Sequence, residues 1–224
     1  MVQRIAKHAD NKWALLALLA VAQFMVVLDI AIVNVALPSI ATDLQFAGND
    51  LQWVITAYTL TFGGFLLLGG RASDLYGRKN IFLSGVAAFT VASLLCGLAQ
   101  TDTQLIIARA VQGVAAAIMS PAALSIILAE FKEGKDRNTA MGVWAAVASG
   151  GAAAGVLLGG VLTQYLNWRW NFFVNVPVGI AVVAIGYYLL PKHIGEEGKR
   201  MNLDLPGAVL ATGGLMALVY GLSR

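Results

Sequence analysis

Long apolar runs separated by short polar breaks repeat along this chain from one end to the other. Seven such runs can be drawn, over residues 13–38, 51–71, 80–99, 103–129, 139–163, 170–191 and 205–223. At ~1.5 Å per residue, each is long enough as a helix to cross a hydrocarbon core of about 30 Å. The breaks leave no room for a soluble domain, so the pattern predicts an all-α membrane protein built as one compact bundle.

Composition agrees. Hydrophobic residues make up 58% and charged residues 12%, against about a quarter charged in an ordinary soluble domain. Many of the 24 glycines fall inside the apolar runs, which is common where membrane helices approach closely. Cys96 has no second cysteine to pair with, so no internal disulfide can form.

The net charge of +3 is small, and its placement matters more than its size. Arg4, Lys7 and Lys12 precede the first run, and Arg71, Arg78 and Lys79 lie between the second and third. Lys132, Lys135 and Arg137 separate the fourth and fifth, and Lys192, Lys199 and Arg200 the sixth and seventh. The opposite connections carry Asp43, Asp50 and Asp102, with Arg169 as their one cation. Positively charged loops stay in the cytoplasm, which puts the N-terminus inside. Trp13 then falls at the inner interface, and Trp53, Trp168 and Trp170 at the outer one. A cleaved signal peptide fits the basic start, but its apolar core spans about 7–15 residues, and the first run is far longer.

Two residues at depth are formally charged: Asp29 in the first run and Arg109 in the fourth. An acid at the centre of a membrane helix costs about 2.5–3.5 kcal/mol on insertion scales, so it faces protein or water. Counting from Trp13 places Asp29 ~6 Å from the outer edge of the core, and counting from Thr103 places Arg109 ~9 Å from it. An ion pair or a shared wet pocket is therefore geometrically possible. Desolvation favours the neutral form of a carboxyl group and a guanidinium the ionised form. A carboxyl balanced between the two suits proton exchange; a structural acid satisfied by neighbouring donors is the other reading. Asn34, Gln112 and Asn175 are further polar side chains in apolar surroundings, either substrate ligands or polar glue between helices. Asn34 stands about 140° around the helix from Asp29, so the two need not share a face.

Two glycine-rich stretches follow. "GGAAAGVLLGG", residues 150–160, repeats Gly151, Gly155 and Gly159 every four residues, a smooth ridge for another helix. "GGRASDLYGRKN", residues 69–80, reads as a tight charged turn between antiparallel helices.

Together these segments resemble the major facilitator superfamily, in its fourteen-helix drug:proton antiporter branch (EmrB/QacA type), over the whole chain. "LDIAIVNVALP" resembles that branch's first-span motif, with Asp29 as its acid. "GRASDLYGRK" resembles the superfamily's loop motif at Gly70, Asp74, Gly77, Arg78 and Lys79, with Leu75 where an arginine is often found. "LIIARAVQGVAAA" matches the fourth-span motif through Arg109, Gln112 and Gly113, and "WRWNFFVNVPVG" resembles the entry to the sixth span. The fifth-span export motif departs at Val156, where a proline is normal.

The resemblance implies a proton-coupled exporter that rocks two six-helix halves around a central cavity, each half made of two inverted three-helix repeats. Asp29, Asn34, Arg109 and Gln112 would then bind proton or substrate. Gly70, Asp74, Gly77, Arg78 and Lys79, with Gly151, Gly155 and Gly159, would govern gating. Residues 1–191 would form the N-terminal half, 192–204 a cytoplasmic linker and 205–224 a seventh helix. The expected partners are lipid, protons, a small hydrophobic or cationic substrate and a missing C-terminal half, in a bacterial inner membrane. The chain then reads as a fragment, a truncated gene product or a dimerising half. A metabolite facilitator or importer and a non-transporting membrane protein are the competing readings. No enzyme, cofactor, metal or nucleic-acid role is indicated. His8 and His193 have no metal-ligand spacing with Cys96, and no phosphate-binding Gly-Lys loop occurs.

Overall fold

In a computed structural model of the chain, residues 2–46 and 48–191 are described, together with isolated helical positions between Pro206 and Gly221. The predicted linker 192–204, with Lys192, His193, Lys199 and Arg200, lies outside the described residues, as do most positions of the predicted seventh helix. So do the side chains of Arg4, Lys7 and His8.

The first six apolar runs become helices long and apolar enough to cross a membrane. These are α1 (Val2–Asp43), α2 (Trp53–Tyr76, after a 3-10 turn at Gly48–Gln52), α3 (Arg78–Leu98), α4 (Asp102–Glu130) and α5 (Lys135–Tyr165). The sixth span is divided into α6 (Trp170–Phe173) and α7 (Asn175–Leu189). Pro177 lies just beyond the break and brings no N–H with which to bond back to Phe173. Pro38 and Pro121 are carried inside α1 and α4.

The stretch 69–80 differs from the turn its composition predicts. α2 runs through Tyr76 and α3 begins at Arg78, so the whole turn is Gly77, at φ +90°. A side chain is strained in that region and glycine is not. The remaining residues of the motif are helical.

Packing follows a rule of exchange. The main neighbours are α2 with α4, α1 with α5, α3 with α4, α1 with α7, and α3 with α7. Swapping α1 for α4, α2 for α5 and α3 for α6–α7 turns this set of pairs into itself, as two inverted three-helix repeats require. Even the helix interiors echo it: Asp29 precedes Pro38 by the same interval as Gln112 precedes Pro121.

The ends of α3 and α7 are tied by the same symmetry. Lys79, at the start of α3, donates from Nζ to the Tyr187 and Leu190 carbonyls at the end of α7, both at 2.7 Å. Arg169, just before α6, donates from Nη1 to the Ala99 carbonyl at the end of α3 at 2.5 Å. Each helix therefore supplies a cation to the other's carbonyl-rich C-terminus, where positive charge is favourable. Arg169 also donates from Nη2 to Asp43 at 3.0 Å, and Trp168 Nε1 donates to the same carboxylate at 2.9 Å. At the opposite end Lys12 pairs with Asp136 at 2.6 Å.

Candidate functional site

The two charges expected at depth meet. α1 carries Asp29 to the interior with 0% of its surface exposed, and α4 brings Arg109 to it with 1% exposed. Arg109 Nη1 lies 2.5 Å from Asp29 Oδ2. One turn further along α4, Gln112 donates from Nε2 to Asp29 Oδ1 at 2.9 Å, and its own Oε1 accepts from Arg109 Nη1 at 2.7 Å. The spacing of three residues puts both side chains on one face of the helix.

The other elements complete the cluster. From α7, Asn175 donates from Nδ2 to Asp29 Oδ1 and to Ser93 Oγ, both at 3.0 Å. Ser93 in α3 donates onward to the Phe172 carbonyl at 2.9 Å, and Cys96 Sγ approaches Gln112 Oε1 at 3.5 Å. From α2, the Val54 carbonyl accepts from Arg109 Nε at 3.1 Å, and the Tyr58 ring lies under the guanidinium, its centroid 4.2 Å from Cζ. Both carboxylate oxygens are thus occupied, one by a charge-assisted bond and the other by two amide donors.

A single charge here, unpaired, would be far costlier than the pair, because burial removes the water that would otherwise solvate it. The cluster therefore holds α1, α2, α3, α4 and α7 at one point. Tyr58 is the exception to its saturation: the hydroxyl is buried and has no hydrogen-bond partner, which ordinarily costs about 1–3 kcal/mol.

Asn34 is not part of this cluster. It is exposed, and its amide donates back to the Ile30 carbonyl at 2.7 Å. Asn175 joins the cluster although, as an uncharged amide among apolar residues, its sequence context could equally indicate glue. Ser93 and Tyr58 carry no signal in the sequence, since serine and tyrosine are tolerated in membrane helices in many roles.

The glycine ridge lies directly behind Asp29. Gly151, Gly155 and Gly159 are buried against the α1 segment that flanks the acid. A Cβ at Gly155 would sit 2.6 Å from Ala31 Cβ and 3.0 Å from the Leu28 carbonyl oxygen. Val156 points away and is exposed.

The loop motif lies at the other end of the bundle. Asp74 and Arg78 approach at 3.6 Å across one helical turn's spacing, bridging the Gly77 break. Arg78 Nε is buried without a partner. Lys79 is committed to the α7 carbonyls, and Gly70 faces Pro121 of α4.

Six membrane-length helices, packed as two exchanged three-helix repeats, surround a buried ion-paired acid. The model of the Major Facilitator Superfamily matches residues 19–221, and the chain belongs to that family. It is 51% identical over 212 residues to the puromycin resistance protein pur8 of Streptomyces alboniger, covering 95% of this chain and 42% of that protein. It is 47% identical over 209 residues to the cephamycin export protein CmcT of Amycolatopsis lactamdurans, covering 93% and 43% respectively. Among solved structures, a peptide transporter POT matches with a TM-score of 0.72 at 14% identity, over 93% of this chain and 45% of that one. An inward-facing bacterial homologue of the lysosomal transporter Spinster matches at 0.67 and 21%, over 88% and 46%. These two likenesses concern the fold. The chain spans less than half the length of the curated relatives it matches. It is a multi-pass membrane protein of a transporter family.

Proposed function

We propose that this chain is the N-terminal half of a proton-coupled exporter of hydrophobic or cationic drug-like compounds, and that Asp29 is its proton-exchanging group. The observation that carries the reading is the fully buried Asp29–Arg109 pair at the meeting point of five helices. An ionisable group at such depth, in a family of transporters, marks an ion or substrate path. Its similarity to named resistance and export proteins supports the substrate class and the outward direction.

Arg109 stays protonated throughout, so it tunes the acid and carries no proton itself. Opening of the pair on proton uptake is the step that would free the α1 face behind which the glycine ridge lies. The membrane gradient supplies about 2.3 kcal/mol per charge per 100 mV for such a cycle. The charge pattern supports a cytoplasmic N-terminus, and the bacterial relatives support an inner membrane.

The exposed apolar faces of α2 and α5, with Leu67 76% and Leu157 72% exposed, support a C-terminal half as the partner. The unpartnered Arg78 Nε beside Asp74 supports a cytoplasmic latch to that half. Val156, where the export motif normally has proline, favours a second reading as a facilitator or importer.

Vesicles containing the complete transporter, with an imposed pH gradient, test the proposal. Asp29→Asn is expected to abolish gradient-driven drug movement with normal membrane levels; undiminished movement would sink the coupling role. Uptake in the reverse direction by the unmodified protein would favour the second reading.

A further inference from the structure

The Tyr58 hydroxyl is buried and unpartnered, and the ring that bears it packs against the Arg109 guanidinium. Its surroundings are unusual in a second way. Arg109 is held by Asp29 of α1, by Gln112 of its own helix and by α2 through the Val54 carbonyl and the Tyr58 ring, with the Phe172 ring farther off at 5.8 Å. Val54 and Tyr58 are four residues apart, so carbonyl and ring come from one face of α2. A guanidinium over an aromatic face is attracted by the ring's negative quadrupole, more so away from water. α2 can sit this close because its neighbour on α4 is Gly113, where a Cβ would collide with the Tyr58 carbonyl oxygen.

The hold from α2 does not depend on the charge of Asp29, whereas the hold from α1 does. We infer that Tyr58 is a positioning residue for proton exchange at Asp29: its ring keeps the Arg109 cation seated on α2, and its spare hydroxyl is reserved for the groups released when the Asp29–Arg109 pair opens. The inference rests on the proposed proton exchange. In the closed pair the ring presents the guanidinium to the carboxylate in a fixed place, which favours the ionised acid. In the opened pair the hydroxyl offers a bond that phenylalanine lacks. The titratable groups gathered at the cluster are Arg109, Tyr58 and Cys96; α7 contributes the amide of Asn175, and α5 faces α1 with its glycine ridge.

Ring and hydroxyl then act in opposite directions, which separates them from a packing role. A hydrophobic carbodiimide adds only to protonated carboxyl groups, and its mass on Asp29 can be read by mass spectrometry with the chain in lipid vesicles near neutral pH. Asp29→Asn serves as the blank, and thermal melting checks that each variant is folded. Tyr58→Met, lacking ring and hydroxyl, is expected to raise the labelling rate on the order of tenfold, the size of a desolvated cation–π contact expressed as a ratio. Tyr58→Phe, which keeps the ring, is expected to label at or below the unmodified rate. Equal rates for folded Met and Phe variants would overturn the positioning role. Should Met fail to fold, a folded Phe variant labelled several-fold faster than the unmodified chain overturns it too. No labelling of Asp29 in any of the proteins would instead overturn proton exchange at that residue, and the positioning role with it.

Discussion

At the scale of single residues, Asp29 and Arg109 illustrate how a buried pair differs from two buried charges. Truncating Arg109 to Leu leaves a carboxylate in the bundle with two amide donors and no counter-charge, at a cost of about 3–5 kcal/mol. Replacing both, as Asp29→Leu with Arg109→Met, removes the uncompensated charge along with the attraction. The double variant is therefore expected to melt closer to the unmodified chain in detergent than Arg109→Leu does, and a double variant less stable than that single one would contradict this account. Asn34→Ala makes the opposite case. Its amide bonds only its own helix and is exposed, so melting should change by no more than about 0.5 kcal/mol. Depth alone drew attention to Asp29 and Arg109, because a formal charge in lipid is costly wherever it lies. Asn175, Ser93 and Tyr58 gave no comparable warning: an amide, a hydroxyl or a phenol is cheap enough in a membrane helix to serve as glue, cap or filler.

At the scale of the helix, neighbouring glycines are not equivalent. Gly155 lies against Ala31 and the Leu28 carbonyl, whereas a Cβ at Gly160 on the same helix meets nothing within 4 Å. Gly155→Val should force α5 away from α1 and cost about 1–3 kcal/mol as overpacking. Gly160→Ala should be neutral or stabilising by up to ~1 kcal/mol through helix propensity. Thermal melting of the two variants side by side checks this, and equal losses would mean that the ridge is not a close contact. Gly77 is a third kind, needed for its positive φ rather than for space. The four-residue repeat of the ridge could be read from the chain, but which helix it meets could not. The stretch 69–80 departs from the turn its composition suggests for a related reason. Glycine, serine and aspartate suggest a loop in general, while here only Gly77 leaves the helix.

For the molecule as a whole, the reciprocal caps of Lys79 and Arg169 fasten α3 to α6–α7 at both ends. Lys79→Met and Arg169→Met should each cost about 1 kcal/mol. Their effects should add, because the two sites lie at opposite ends of a 21-residue helix and share no partner. A double variant with much more than the summed loss of melting temperature would point to coupling through the bundle that the packing does not show. In the sequence Arg169 stands out as the exception to the charge asymmetry. Its purpose appears once the end of α3 is beside it.

The chain by itself marked seven apolar runs, the first six of which are membrane-length helices among the described residues, and placed two charges at similar depth. Those properties depend on local hydropathy and on the cost of charge in hydrocarbon, which every residue carries with it. Tertiary structure alone decided that Asp29 meets Arg109, Gln112 and Asn175 but not Asn34, that the glycine ridge backs the acid, and that Tyr58 shares the cation. Helix periodicity and hydropathy give each helix a depth and a set of faces. Which face turns toward which neighbour depends on packing across the whole bundle, where closeness in space no longer follows closeness in sequence.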